Sequence, residues 1–170
     1  MVLEDPADRL VQALKYQGWR ELAPLMASMM AEVPLPAEAA PGERVVVPVP
    51  TTRRRERRRG YNQAELLARA FAADLEVPCV RALERRSGPS SQVGLHPSER
   101  RANVRLAFTT RPETTPQVAG RHALLVDDVL TTGATACEAA LVLERAGASG
   151  VTVVTFARAL PDRRRSRREP

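Results

Sequence analysis

Three short apolar runs, Val45-Val46-Val47, His122 to Val126 and Val151 to Phe156, stand apart from longer stretches in which apolar residues return every third or fourth position. The runs have the length and near-continuous apolarity of strands buried on both faces, as in a parallel sheet. The periodic stretches predict helices. Leu10, Leu14, Leu22, Leu25, Met26 and Met29 place one long or two short helices between Pro6 and Ala31, with a break near Gln17-Gly18. Asn62 is placed to cap a helix reaching about Leu75 that turns Leu67, Phe71 and Leu75 inward. Another helix is predicted from about Gly133 to Ala146, stopped by Gly147. Cys79 to Leu83 and Leu106 to Phe108 read as further short strands, and 109–120 as a polar connection. Strands alternating with helices predict an α/β fold with a parallel central sheet flanked by helices.

Punctuation divides the chain. Residues 1–32 form an N-terminal helical segment, and 33–43, with three prolines and a glycine, a linker. The main domain spans 44–160. Inside it, 84–103 is polar, lacks a period and has the length of a mobile lid loop. Residues 161–170 hold no apolar side chain to bury, which predicts a disordered basic tail.

Size and composition narrow the classes. At 170 residues and 18.6 kDa the chain suits one core and leaves no room for a second catalytic domain. No apolar run approaches the roughly 18–20 residues that cross a bilayer, so no membrane insertion is expected. Met1 is followed by Glu4, Asp5 and Asp8 instead of a basic start and an apolar run, and the expected location is cytoplasmic. Cys79 and Cys137 lie far apart with no Cys or His at ligand spacing, so no protein-held metal is expected and both read as small buried apolar side chains. Tyr16 and Trp19 read as core anchors of the N-terminal helix.

Charge changes the picture more. The net charge is +6, and Lys15 is the single lysine among 26 basic residues. Residues 53–59 carry six arginines and one glutamate, and the stretch from Arg158 to Glu169 carries six arginines against two acids. The remainder is mildly acidic, so the basicity is two local patches, which predicts anion contacts at defined places.

The segment that carries chemistry is Ala123 to Thr135, ALLVDDVLTTGAT. An apolar strand ends in two adjacent carboxylates, Asp127 and Asp128, then turns through Thr131, Thr132, Gly133, Ala134 and Thr135 into a helix. A small-residue turn at a helix start offers backbone N–H groups and threonine hydroxyls to a phosphate, and Gly133 permits close approach. Carboxylates at the carboxyl edge of an open α/β sheet stand where ligands bind, and accept hydrogen bonds from vicinal sugar hydroxyls. The competing reading is a capping box of Thr135 and Glu138 with solvated loop acids. It does not explain two acids placed directly after four apolar residues, where desolvation is costly. Neither GxxxxGK[ST] nor GxGxxG occurs.

This segment resembles the phosphoribosyl pyrophosphate (PRPP) signature of type I phosphoribosyltransferases over its full length. Pro48-Val49-Pro50, Arg55, Arg59-Gly60-Tyr61-Asn62-Gln63, Arg85, Gln92, Leu95, Arg100, Asn103, Ala107 and Phe108, taken with it in order, are similar to the ComF family of competence-associated, phosphoribosyltransferase-like proteins. The four-cysteine zinc module that begins many members is absent from this sequence, so no zinc is expected. Pro89 stands where the family often has threonine, and Leu106 where it often has glycine.

The resemblance implies a type I phosphoribosyltransferase-like fold with a hood or lid, and a protein that binds PRPP or a ribose 5-phosphate group and is linked to DNA uptake and natural transformation. It implies that Asp127 and Asp128 hold the ribose, with Arg85 beside them as the third catalytic residue. Val129, Leu130, Thr131, Thr132, Gly133, Ala134 and Thr135 would bind the phosphate, and Val49, Pro50, Thr51, Thr52, Arg55 and Arg59 the pyrophosphate. Gln92, Arg100 and Asn103 would belong to the lid. Mg2+ would arrive with PRPP, held by the ligand's own oxygens. The alternative is a non-catalytic competence factor that handles single-stranded DNA through the same pocket and through Arg53, Arg54, Arg57, Arg58, Arg163, Arg164 and Arg165. The implied partners are thus PRPP or another phosphoribosyl ligand, single-stranded DNA and the DNA-uptake machinery, and an oligomer is compatible with the sequence.

Overall fold

A computed structural model describes residues 1–36, 43–86 and 107–160. Lid residues 87–103, including Gln92, Arg100 and Asn103, and the tail with Arg163, Arg164 and Arg165 lie outside the described residues, as does Leu106. The order of elements is α1 (Ala7–Gln12), a π-type turn (Ala13–Gln17), α2 (Leu22–Ala31), β1 (Arg44–Pro48), α3 (Arg53–Arg59), α4 (Gln63–Asp74), β2 (Leu83–Arg85), β3 (Phe108–Thr110), α5 (Thr115–Val118), β4 (His122–Leu130), α6 (Ala134–Arg145) and β5 (Gly150–Arg158).

β1, β4 and β5 form a parallel sheet in that order, with Val46 opposite Leu124 and Leu124 opposite Thr152. Single bridges extend it, Cys79 beside Val46 on one edge and Val2 beside Arg158 on the other. The sheet is covered on both faces. Val46, Leu124, Val126 and Phe156 pack with Leu14, Met26, Leu67 and Phe71 on one side. Val45, Val47, Ala123 and Leu125 pack with Phe108, Val118, Ala139 and Leu143 on the other. Alternate side chains of β1 and β4 thus enter opposite cores, as the two-residue strand period requires, and each fully buried Val, Leu or Phe contributes about 1.5–3 kcal/mol.

Several elements depart from the sequence reading. Cys79 makes only an isolated bridge, and the short strand lies later, at Leu83–Arg85, paired antiparallel with Phe108–Thr110. The span 109–120 contains a 3-10 turn at Pro112–Thr114 and the helix α5, both opened by prolines that suit a first helical turn. β4 does not end at the acids but continues to Leu130, because β5 goes on pairing with it past Asp127. Tyr16 is 61% and Trp19 52% exposed, so neither anchors the core. The reason is local: Gly18, left-handed at φ 78, turns the chain between them, and Leu14 is the residue buried. Cys137 is likewise exposed and Cys79 only partly buried.

The arginine run is a helix. Thr52 caps α3 by accepting from the Arg55 amide at 3.3 Å, and Gly60, left-handed at φ 79, ends it. Arginine's good helix propensity and the three cations of the last turn, next to the negative end of the helix dipole, favour it. No residue of α3 is buried, however, so like charges crowd a helix that no core holds in place.

Asn62 ties this region to the sheet. Its side-chain carbonyl accepts from the Ala64 amide at 3.2 Å as the cap of α4, and its Nδ2 donates to the Val49 carbonyl at 3.0 Å, all within a buried site. Asn62→Ala removes a cap and leaves a buried carbonyl unpaired, so a loss of about 2 kcal/mol is expected in urea denaturation. A midpoint unchanged from the parent would exclude this tether.

Candidate functional site

β1 leaves the sheet before β4 does. Its last partner pair is Pro48 with Val126, after which the Val49 amide donates once more to the Val126 carbonyl at 2.9 Å. Pro50 has no N–H to continue the ladder. Asp127 and Asp128 follow on β4, paired on the β5 side and open where β1 has turned away.

Strand alternation separates the two carboxylates. Asp128 follows Val126 toward the N-terminal helices, and Asp127 follows Leu125 toward the opposite layer. On its side Asp128, 4% exposed, meets Lys15, whose Nζ lies 2.8 Å from Oδ1. The other oxygen, Oδ2, is buried with no hydrogen-bond partner among the described residues. Asp127 is half-buried and accepts from the Asp128 amide at 2.8 Å. Burial first, and the adjacent Asp128 second, push its carboxyl up to about 7, against the lowering effects of that amide, Lys15 and Arg85.

A cavity of about 360 Å³ opens over this strand end. Asp127, Asp128 and Thr135 face Val49, Pro50 and Thr51 across it, and Arg55, Arg58, Arg59 and Arg85 supply four cations. Arg55, Arg58 and Arg59 share one face of α3, as positions i, i+3 and i+4 must. Arg59 donates to Gln63 Oε1 at 2.8 Å and lies 4.9 Å over the Tyr16 ring, yet among the described residues its buried Nε has no acceptor. Among the described residues Arg55 and Arg58 have no carboxylate within ion-pair distance. An unpaired acid oxygen on one wall and unpaired guanidinium groups on another are complementary to a ligand with hydroxyls at one end and negative charge at the other.

The turn behind the acids is exposed. Thr131, Thr132, Ala134 and Thr135 face solvent, while Val129 packs on the core. Gly133, at φ 81, is the N-cap of α6, its carbonyl accepting from the Cys137 amide, and Thr132 Oγ1 receives the Ala134 amide at 3.4 Å. The capping box is not formed: Thr135 sits inside the helix, and Glu138 accepts from the Ala107 amide instead. The first-turn amides of Thr135 and Ala136 have no carbonyl ahead of them within the helix. Leu130 approaches Gly133 from below, 4.0 Å from where a Cβ would stand.

Of the residues expected at the site, Val49, Pro50, Thr51, Arg55, Arg59, Arg85, Asp127, Asp128 and Thr135 line this one cavity, with the 129–134 turn directly after the acids. Thr52 acts as the cap of α3. Arg58 joins the cavity, Arg53 lines a smaller one beside it, and Arg54 and Arg57 point to solvent. Sequence reasoning missed Lys15, Tyr16, Asn62 and Gln63 as lining residues. Lys15 did carry a signal, as the one lysine in an arginine-rich chain. The N-terminal segment holds it there: Tyr61 donates its hydroxyl to the Leu14 carbonyl, and Arg20 lies 4.5 Å over the Tyr61 ring.

Two outcomes follow from these contacts. Lys15→Met leaves a buried carboxylate unpaired and is expected to cost about 2–4 kcal/mol by chemical denaturation, with Lys15→Met/Asp128→Leu recovering most of it; a neutral single variant would contradict the pairing. Asp127 holds a proton in the folded state that the unfolded chain gives up near 3.8. Its contribution to stability is therefore fully present below about pH 4 and is lost as pH rises to about 7. Denaturation across that range should show a downward slope that Asp127→Asn abolishes.

A family model described as the phosphoribosyl transferase domain matches residues 57–170. Competence protein F of Haemophilus influenzae is 32% identical over 91% of this chain and 69% of its own length. DNA utilization protein YhgH of Escherichia coli K12 is 34% identical over 91% of this chain and 68% of its own. Competence protein ComFC of Bacillus subtilis is 32% identical over 67% of this chain and 44% of its own. Among solved structures, the glutamine PRPP amidotransferase of B. subtilis superposes with a TM-score of 0.55 at 20% identity. An allosteric regulatory enzyme of purine biosynthesis does so with a TM-score of 0.56 at 22% identity. Both cover 81% of this chain but only 26% of theirs, and they bear on the fold alone. With a type I phosphoribosyltransferase-like sheet and an acidic pair at its carboxyl edge, this chain belongs to the phosphoribosyl transferase domain family and, within it, to the ComF and YhgH group of competence and DNA-utilization proteins.

Proposed function

We propose that the chain binds PRPP in the cavity at the carboxyl ends of β1 and β4, with the ribose diol on Asp127 and Asp128, the 5-phosphate in the 129–135 turn and the pyrophosphate against Val49 to Thr52, Arg55 and Arg59. One observation carries this reading: two acids, Thr135 at the end of the small-residue turn and four arginines line a single cavity of about 360 Å³. A sugar that is anionic at both ends satisfies all three at once. It also relieves α3, whose arginines have no core and few counter-charges to hold them.

The arrangement suits displacement of pyrophosphate at the anomeric carbon. In that step the bond to the leaving oxygen breaks as the acceptor's bond forms, and charge grows on the leaving group. Cations already fixed beside it lower the barrier without reorganising. Magnesium would come in on the pyrophosphate oxygens and neutralise charge there. The donor set fits that role: two strand-end carboxylates, one with a buried oxygen that has no partner among the described residues. Asp127, with its proton leaving near 7, is the group whose ionisation sets how well the diol is accepted.

The test is a thermal shift with PRPP and Mg2+. Ligand at about 100 times Kd should add about 2.7 kcal/mol to the parent, and the increment should vanish in Asp127→Asn/Asp128→Asn. No shift at millimolar PRPP would overturn the proposal.

A second reading, single-stranded DNA handling, is favoured by Arg54 and Arg57, which face solvent with no carboxylate partner among the described residues, and by relatives whose names refer to competence and DNA utilization. It requires affinity that falls steeply with salt. Arg54→Gln/Arg57→Gln should weaken DNA binding while leaving the PRPP increment intact, and salt-independent DNA affinity would exclude it.

A further inference from the structure

A second, smaller cavity lies on the other side of the 49–52 turn and shares Pro50, Thr51, Asn62 and Arg85 with the first. We propose that it is a separate subsite for a dianionic phosphoryl group, held by Arg53, Arg81, Arg85 and Arg111. The proposal stands whether or not the larger cavity takes PRPP.

Three elements bring these arginines together. Arg53 opens α3, Arg81 precedes β2, Arg85 ends β2, and Arg111 follows β3, its amide donating to the Ala82 carbonyl at 2.9 Å. Two carboxylates, Glu56 and Glu84, line the same cavity, leaving two cations in excess. The pairing is incomplete as well as unequal. Glu84 is taken by Arg111 Nη2 at 2.9 Å, and Glu56 reaches Arg81 only at 3.7 Å. Arg81 also touches Glu65, at 3.4 Å. Arg85 rests 5.2 Å over the Phe108 ring, and Arg53 has no ion-pair partner among the described residues. Arg111 Nε is buried without an acceptor among the described residues. A buried donor left unmade costs about 1–3 kcal/mol, so a cavity with such a donor and surplus positive charge is improved by an oxyanion.

Size and charge select the ligand. At about 100 Å³ the cavity has room for a phosphoryl group among its arginines. An excess of two cations matches a phosphate monoester or inorganic phosphate, both dianions, better than a singly charged diester. Arg85, common to both cavities, makes the two sites electrostatically linked.

Arginine modification by phenylglyoxal, read peptide by peptide on the full chain, locates the ligand directly. Inorganic phosphate and AMP should each slow modification of Arg81 and Arg111. In Arg81→Gln the protection at Arg111 should need about tenfold or more phosphate, the equivalent of one charged hydrogen bond, whereas Arg81→Lys should retain most of it. AMP protecting at lower concentration than phosphate would identify a nucleotide monoester, and the reverse order free phosphate; either supports the subsite. Protection confined to Arg55, Arg58 and Arg59, or none at either position, would overturn it. Failure of PRPP to stabilise the chain leaves these outcomes unchanged, which keeps the two proposals separable.

Discussion

The site depends on where β1 parts from β4. Parallel strands normally keep one another's backbone groups satisfied to their ends, but Pro48, Val49 and Pro50 allow one more bond, from the Val49 amide, and then no donor at Pro50. β4 continues for four residues beyond Val126 because β5 supports it from the other side. The gap this opens is where two acids can stand directly after the apolar run Ala123 to Val126. A β1 that ran on would cover them, and a β4 that stopped at Val126 would let them turn to solvent.

The electrostatics follow from that gap. Asp128 is buried in direct contact with Lys15, whereas Asp127 has no ion-pair partner among the described residues and feels Lys15, then Arg85, without contact. One acid is thereby paired with an ammonium at 2.8 Å, and its neighbour is left to hold a proton up to about 7. Two carboxylates on successive residues thus receive different environments from strand alternation alone. On the facing wall, α3 concentrates positive charge without a core to anchor it, so opposite charges meet across the cavity without touching. That separation leaves room for a ligand between them.

Much of this was legible in the sequence, and what was not has physical causes. The stretch from Ala123 to Thr135 could be read because burial, an acidic pair and a small-residue turn each leave their own mark on composition. Asn62 was readable as a cap because capping needs only local chemistry. The arginine helix was not, since a helix with no buried face carries no apolar period to detect. The end of β4 was misjudged because polar residues there remain strand only through pairing with β5, a long-range contact. Tyr16 and Trp19 were misplaced because hydrophobic spacing says nothing about a π-type turn and a left-handed Gly18 that rotate them outward.

The N-terminal segment, separable on paper as residues 1–32, is in fact a wall of the site. Residues 57–170, which carry the family match, supply Asp127, Asp128, the 129–135 turn and Arg85. They do not supply Lys15, the cation that compensates Asp128, or Tyr16, which backs Arg59. Both arrive on a segment held by the burial of Leu14 and by its carbonyl's bond from Tyr61. The matched region therefore supplies the acids and the turn behind them, while the region before it supplies Val49, Pro50, Thr51 and Arg55 to the cavity and sets how charged and how rigidly held the acids are. Relatives that share the strand-end acids but differ in the segment packed over them should differ in the pH at which the site is competent, even with every ligand-facing residue of the matched region unchanged.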